Sequence, residues 1–166
     1  MSNTFVAILM GSDSDLAIMQ NTITVLKQLE IAYEVKITSA HRTPDATHQY
    51  VKDADKRGCA VFIAAAGMAA HLAGTVAALT QKPVIGVPID AGPLQGFDAL
   101  LSTVQMPGGI PVACVAIGKA GAQNAAFFAA QILALNDVEL AQRLQQLRQA
   151  RAAEVIAKDQ ALQQQC

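Results

Sequence analysis

The sequence contains no tryptophan, few aromatic residues (4%) and few charged residues (15%). Its formal net charge of −1 leaves no excess of lysine and arginine for neutralising phosphates, so we exclude nucleic acid as its principal partner. Typical soluble chains are about one quarter charged, whereas residues 99–135 carry a single charge, Lys119. One domain of 166 residues cannot hide so much weakly polar surface, which predicts that the chain associates with copies of itself.

Motifs for metals and nucleotide cofactors are missing as well. The cysteines, Cys59, Cys114 and Cys166, are far apart and form no CxxC pair, which favours small core residues in a reducing compartment over disulfides or a zinc site. No two glycines are separated by one residue, which excludes the GxGxxG fingerprint, and Gly118-Lys119 lacks the upstream glycine of a P-loop. We therefore expect chemistry without metal or cofactor.

One uncharged stretch, residues 59–81, is long enough to raise the question of a membrane helix. It is rich in alanine, and its character changes midway: 60–65 resembles a buried strand, Gly67 a turn and 69–79 a short helix. We therefore reject a membrane span. The apolar run at 5–10 is too short for a signal peptide and no basic residues precede it, so we expect a cytoplasmic protein.

Strand-like and helical segments alternate along the whole chain. Because the strands are apolar on both faces, the pattern predicts a parallel sheet between layers of helices, a flavodoxin-like three-layer α/β sandwich with strand order 2-1-3-4-5. No linker or repeat divides the chain, so we predict one domain, 1–166, with an extended C-terminal helix in an arm at 137–166. The predicted strands lie near 4–10, 32–38, 60–65, 83–88 and 112–117, and the helices near 14–29, 44–57, 69–80, 95–104, 120–135 and 137–158.

The first strand is followed by Gly11-Ser-Asp-Ser-Asp15. Ser12 with Asp15 three residues later predicts a capping box at a helix start, with Asp in place of Glu. Capping alone would explain these residues. Glycine, however, lets a ligand approach the backbone, and a helix N-terminus attracts anions, so the motif also suits phosphate binding.

The second strand is followed by Ser39-Ala-His-Arg-Thr-Pro-Asp45. Thr43 is predicted to cap the next helix and Pro44 to open it. His41 and Arg42 are then held at a strand-to-helix turn. An imidazole can exchange protons near neutral pH, and a guanidinium can bind phosphate or carboxylate. The alternative is an ordinary loop histidine beside a solvated surface charge. Right-handed crossovers bring this turn, the Ser12 turn and the Gly67 turn to one sheet edge, which predicts a shared crevice.

Further segments occur in a fixed order after these two motifs: Ala66-Gly-Met-Ala-Ala-His-Leu-Ala-Gly74, Pro83-Val-Ile-Gly-Val-Pro88, Gln105-Met-Pro-Gly-Gly-Ile-Pro111 and Ala116-Ile-Gly-Lys-Ala-Gly121. Together with the first two, they resemble the PurE family of N5-carboxyaminoimidazole ribonucleotide mutases, over residues 4–150. The resemblance implies an isomerase of de novo purine synthesis that moves a carboxylate from the exocyclic nitrogen of an aminoimidazole ribonucleotide to ring carbon 4. In that mechanism the carbamate loses CO2 in a closed pocket and the ring carbon recaptures it.

By the same resemblance, His41 is the general acid and base, which protonates the departing nitrogen and later removes the proton from carbon. Ser12 and Arg42 bind the phosphate and Asp15 the ribose hydroxyls. The pocket that holds CO2 is shaped by Ser39 and by the backbone around Gly67. The resemblance also places His71 at the substrate, although at the start of a buried helix it could equally be a hydrogen-bonded core histidine. The third histidine, His48, is expected to be structural or exposed.

The resemblance has two departures and one discriminating feature. Met68 stands where the family commonly has glycine, and Gly108 where a basic residue is frequent. Arg42-Thr43 favours the mutase over related carboxylases that use free CO2, which tend toward Lys-Gly there. A free-CO2 carboxylase and a non-catalytic phosphosugar-binding module are the alternatives. The resemblance implies a homo-octamer, in which the terminal helix, with its stripe of Leu140, Leu144 and Leu147, either lies on a neighbour or is solvated.

Overall fold

The computed structural model describes residues 4–164. The chain divides into two compact units at Ala129/Ala130. The first unit holds a five-stranded parallel sheet in the order β2-β1-β3-β4-β5, which confirms the predicted topology. Its strands are β1 (Phe5–Met10), β2 (Tyr33–Ile37), β3 (Cys59–Gly67), β4 (Val84–Ile89) and β5 (Ala113–Cys114).

Helices connect the strands and cover the sheet on both faces. They are α1 (Leu16–Gln28), α2 (Pro44–Lys56), α3 (Leu72–Ala77), α4 (Phe97–Val104) and α5 (Gly118–Ala134). The hydroxyl of Thr22 in α1 donates a 2.7 Å hydrogen bond to the carbonyl of Ala122 in α5, which ties these two helices together. The second unit contains the end of α5 and the long helix α6 (Val138–Gln163), whose first turn is capped by the Asp137 carboxylate accepting from the Leu140 amide.

The core follows directly from the apolar strands. Every residue of β1 is buried, because successive side chains point to opposite faces and both faces are covered by helices. One face of the sheet packs against α2 and α3 through small and branched side chains. The buried members of this cluster are Phe5, Ala7, Leu9, Val51, Ala54, Cys59, Phe62, Ala64, Leu72, Ala73, Val76, Ala77 and Val84.

Several predicted boundaries were wrong for local reasons. β3 continues through Gly67, which pairs with Ile89 instead of forming the turn. α3 begins only at Leu72, because residues 68–71 form two tight turns, with Ala70 N donating to Met68 O and His71 N to Ala69 O, both at 2.9 Å. β5 keeps only Ala113 and Cys114 of the predicted residues 112–117.

The uncharged stretch 59–81 forms β3, the turn and α3. Across residues 4–164, no helix combines the length and apolarity needed to cross a bilayer. Cys59 and Cys114 are free thiols, and burial raises the pKa of both. Cys166 lies outside the described residues.

Candidate active site

A cavity of about 450 Å³ opens at the carboxyl ends of the strands in the first unit. The loops after β1, β2 and β3 all contribute to it, as their positions in the strand order predict. All of the site residues proposed from the sequence line it: Ser12, Asp15, Ser39, His41, Arg42, Gly67 and His71. The other lining residues were not among the site residues proposed from the sequence, although Met68 is a departure from the family pattern and Gly11 belongs to the first motif: they are Gly11, Ser14, Ala40, Ala66, Met68, Ala69, Leu72 and Ala91.

The loop after β1 forms the predicted capping box around a single 3-10 turn, Asp13–Asp15. The Ser12 hydroxyl accepts from the Ser14 amide at 3.3 Å, and the Asp15 carboxylate accepts from the Ser12 amide at 3.2 Å. Asp15 is only 5% exposed, and this burial raises the pKa of its carboxyl despite the hydrogen bonds that lower it. An acceptor is therefore held rigidly at the cavity edge, where it suits hydroxyl donors of a ligand.

The loop after β2 is closed by its own side chains. The Ser39 hydroxyl accepts from the Arg42 amide at 3.1 Å, and the Ser39 amide donates to the Thr43 hydroxyl at 2.9 Å. Thr43 occupies the N-cap position of α2 as predicted, but its hydroxyl is turned back to Ser39 and makes no capping bond. Pro44 occupies the first turn of the helix as predicted.

Arg42 joins the first two loops. Its Nη2 atom donates to the carbonyl of Gly11 at 3.2 Å, which aims the guanidinium toward the Ser12 turn. Arg57 forms salt bridges with Glu34 and Asp53, and neither pair involves Arg42. Arg42 also lines the cavity, where a guanidinium is a suitable donor group for a phosphate.

Two histidines meet at the cavity wall. Nε2 of His41 lies 2.7 Å from Nδ1 of His71, and the rings are edge to face with centroids 4.8 Å apart. One nitrogen donates and the other accepts, so the bond fixes the orientation of both rings and one proton between them. The alternative of a buried core histidine at position 71 was wrong, since His71 is exposed. His48 is also exposed, on α2, and does not line the cavity.

The third wall of the cavity is apolar. A Cβ atom on Gly67 would lie 2.7 Å from the Cβ atom of Ala91, so only glycine lets the end of β3 approach the loop after β4 this closely. Ala66, Ala69 and Leu72 extend the same wall. Ala91 had a usable sequence signal, because it follows the fourth strand at the same sheet edge as the other loops.

The model of the AIR carboxylase family matches residues 5–154. The chain belongs to the AIR carboxylase family. Within the described residues, no group of three or more His, Cys, Asp or Glu side chains is placed to hold a metal ion in this family member.

Curated relatives of this AIR carboxylase family chain carry a more specific name. It is 52% identical to the N5-carboxyaminoimidazole ribonucleotide mutase of Escherichia coli K12 over 151 residues, which cover 91% of this chain and 89% of that protein. It is 49% identical over 159 residues to the mutase of Thermotoga maritima, covering 96% and 92%. The crystal structure of Treponema denticola PurE matches with a TM-score of 0.86 and 31% identity, covering 96% of this chain and 98% of that one. These matches confirm the resemblance found in the sequence.

Proposed function

We propose that this chain is an N5-carboxyaminoimidazole ribonucleotide mutase, an isomerase of purine biosynthesis. The observation that carries the proposal is the hydrogen-bonded His41–His71 pair in a cavity that is also lined by the Arg42 guanidinium and an apolar wall. Carboxylate migration needs these three features: a proton carrier, an anion anchor and a region without water. Relatives at about 50% identity bear this name.

The reaction proceeds in two steps that share one proton carrier. The bond between the exocyclic nitrogen and the carboxylate carbon breaks, the electron pair stays on nitrogen, CO2 is released into the cavity and His41 gives that nitrogen a proton. Ring carbon 4 then attacks CO2 through the electrons of the enamine, forming the new carbon–carbon bond, and His41 removes the proton from carbon 4. The proton count of His41 is therefore the same after the cycle as before it.

The remaining residues hold the ribonucleotide around this exchange. Ser12 and Arg42 bind the phosphate, because both line the cavity on adjoining loops that Arg42 joins through its bond to Gly11. Asp15 accepts from the ribose hydroxyls. The Ser39 loop and the backbone at Gly67 enclose CO2, and His71 orients His41 through their shared hydrogen bond beside the substrate.

One assay separates the mutase from the alternatives. The enzyme is given either the carbamate in bicarbonate-free buffer or the uncarboxylated aminoimidazole ribonucleotide with CO2, and formation of the 4-carboxy product is followed. The proposal expects rapid product from the carbamate, above the rate without enzyme. Product only from added CO2 would assign the free-CO2 carboxylase, and ribonucleotide binding without either product would assign the non-catalytic binding module.

We also propose that the chain forms a homo-octamer in the cytoplasm. Each chain is one functional domain, with residues 137–166 as an arm. An apolar patch on the first unit supports assembly: Phe97 and Leu101 lie about one turn apart on α4 and Leu94 lies in the turn before it, and they are 63%, 59% and 58% exposed. Sedimentation of the wild type is expected to give an octamer, and Phe97→Glu a smaller species. A wild-type monomer would refute the assembly, and recovery of the protein outside the cytoplasmic fraction would refute the location.

A further inference from the structure

Met68 is the one cavity-lining residue of described geometry that combines a large apolar side chain with a left-handed backbone. Its φ is +55°, a conformation that disfavours side chains other than those of glycine, asparagine and aspartate. Met68 is 55% exposed and borders the cavity immediately after β3. A strained, exposed methionine beside a reaction site is unfavourable for stability alone, which points to a role in function.

The methionine side chain rests on the loop after β4. A Cβ atom built on Gly92 would lie 3.3 Å from Cγ, 3.7 Å from Sδ and 4.0 Å from Cε of Met68. The absence of a side chain at Gly92 therefore makes room for the whole thioether, which spans from the end of β3 to the neighbouring loop. Met68 and Ala91, the residue before Gly92, both line the cavity.

We propose that Met68 is a cover over the apolar wall that keeps CO2 in the cavity between its release and its recapture. The proposal rests on the mutase function given above and adds a retention residue to it. CO2 is small, uncharged and held by no ionic contact, so its retention depends on how completely side chains close the paths to solvent. The thioether is apolar and adaptable, and it adds bulk to a wall to which Ala66, Ala69 and Ala91 contribute only methyl groups.

The test measures how often CO2 exchanges with solution during a turnover. Wild type and variants convert the carbamate in buffer containing 13C-bicarbonate and a trace of carbonic anhydrase, and mass spectrometry gives the labelled fraction of the 4-carboxy product, with the enzyme-free value subtracted. Met68→Gly removes the cover and suits the positive φ. We expect its labelled fraction to rise about fivefold, equivalent to about 1 kcal/mol in the barrier to escape.

Matched variants keep the result interpretable. Met68→Leu retains apolar bulk and the same backbone strain, so its labelled fraction should stay near that of wild type. Met68→Asn also tolerates a left-handed backbone and lacks the long apolar chain, and it should leak like Met68→Gly even where the glycine variant folds poorly. Equal labelling in wild type, glycine and asparagine variants would overturn the role of Met68 while leaving the mutase function intact. A wild-type enzyme that does not convert the carbamate would overturn both.

Discussion

Nε2 of His41 and Nδ1 of His71 lie 2.7 Å apart although 30 residues separate them in the chain. The contact forms because β1 lies between β2 and β3, and the two tight turns at 68–71 bring His71 back toward the Ser39–Thr43 loop. A hydrogen bond between two rings leaves each histidine with one further ring nitrogen for a substrate. The fold therefore builds a paired proton site from two loops that the sequence keeps far apart.

Replacing His41 with Asn should remove most of the turnover while ribonucleotide binding is retained. The amide cannot carry the proton between nitrogen and carbon, and loss of general acid–base catalysis costs about 10²–10⁴-fold in rate. Turnover of the carbamate is measured beside binding of the 4-carboxy product by calorimetry. His48→Asn is the matched control, because His48 is exposed on α2 and away from the cavity. Turnover close to wild type in His41→Asn would refute the catalytic assignment.

Replacing His71 with Phe should lower kcat and leave KM nearly unchanged. The ring stays in place but the hydrogen bond to His41 is lost, so His41 is no longer held in one orientation. We expect a loss of about tenfold, in line with one to two kilocalories for a positioning hydrogen bond, and smaller than that of His41→Asn. Steady-state kinetics on both variants checks the order. A rise in KM at constant kcat would instead assign His71 to substrate binding alone.

Replacing Arg42 with Gln should raise KM by about 10–100-fold, because hydrogen bonds from a charged donor to phosphate contribute roughly 1.5–3 kcal/mol. The change also removes the bond to the Gly11 carbonyl, which aims the side chain at the Ser12 turn. Lys27→Gln removes the same charge from an exposed position at the end of α1, outside the cavity, and should leave KM unchanged. Equal effects of the two substitutions would show that general electrostatic attraction, and not a local contact, governs affinity.

The sequence was sufficient for the sheet order and for the convergence of the Ser12, His41 and Gly67 loops, because both follow from apolar strands and right-handed crossovers. It was insufficient where tertiary contacts override local preference. Thr43 has good capping chemistry, yet its hydroxyl bonds to Ser39. The His71 contact also depends on the left-handed turn at Met68, and methionine gives no local signal for such a turn.

Asp15→Asn should be more stable than wild type, and this difference in stability should grow as pH rises. Burial raises the pKa of the Asp15 carboxyl in the native state above its ordinary value of 3.8, which applies to the unfolded state. Between the unfolded-state and native-state pKa values, the native state therefore binds more protons than the unfolded state. Stability of the wild type therefore falls as pH rises through this window, and the neutral amide has no such dependence. Urea unfolding of both proteins at pH 4 and pH 7 measures the difference, and a stability gain for Asp15→Asn that shrinks with pH would contradict the burial effect.

Gly67→Ala should weaken both the fold and the site. The new Cβ atom would lie 2.7 Å from Cβ of Ala91, and neither strand β3 nor the loop after β4 can yield freely because Gly67 is paired with Ile89. Overpacking of this kind costs about 1–3 kcal/mol, which thermal or urea unfolding detects.

Two further variants separate this contact from a general effect of alanine. Gly108→Ala is the matched control, because a Cβ atom there meets no atom within 4 Å, and it should leave the free energy of unfolding unchanged or slightly higher. The double variant Gly67→Ala with Ala91→Gly moves the methyl group from one wall to the other and should recover most of the lost stability and turnover. Failure of this exchange to restore either quantity would mean that the close approach of β3 to the Ala91 loop does not set the shape of the cavity.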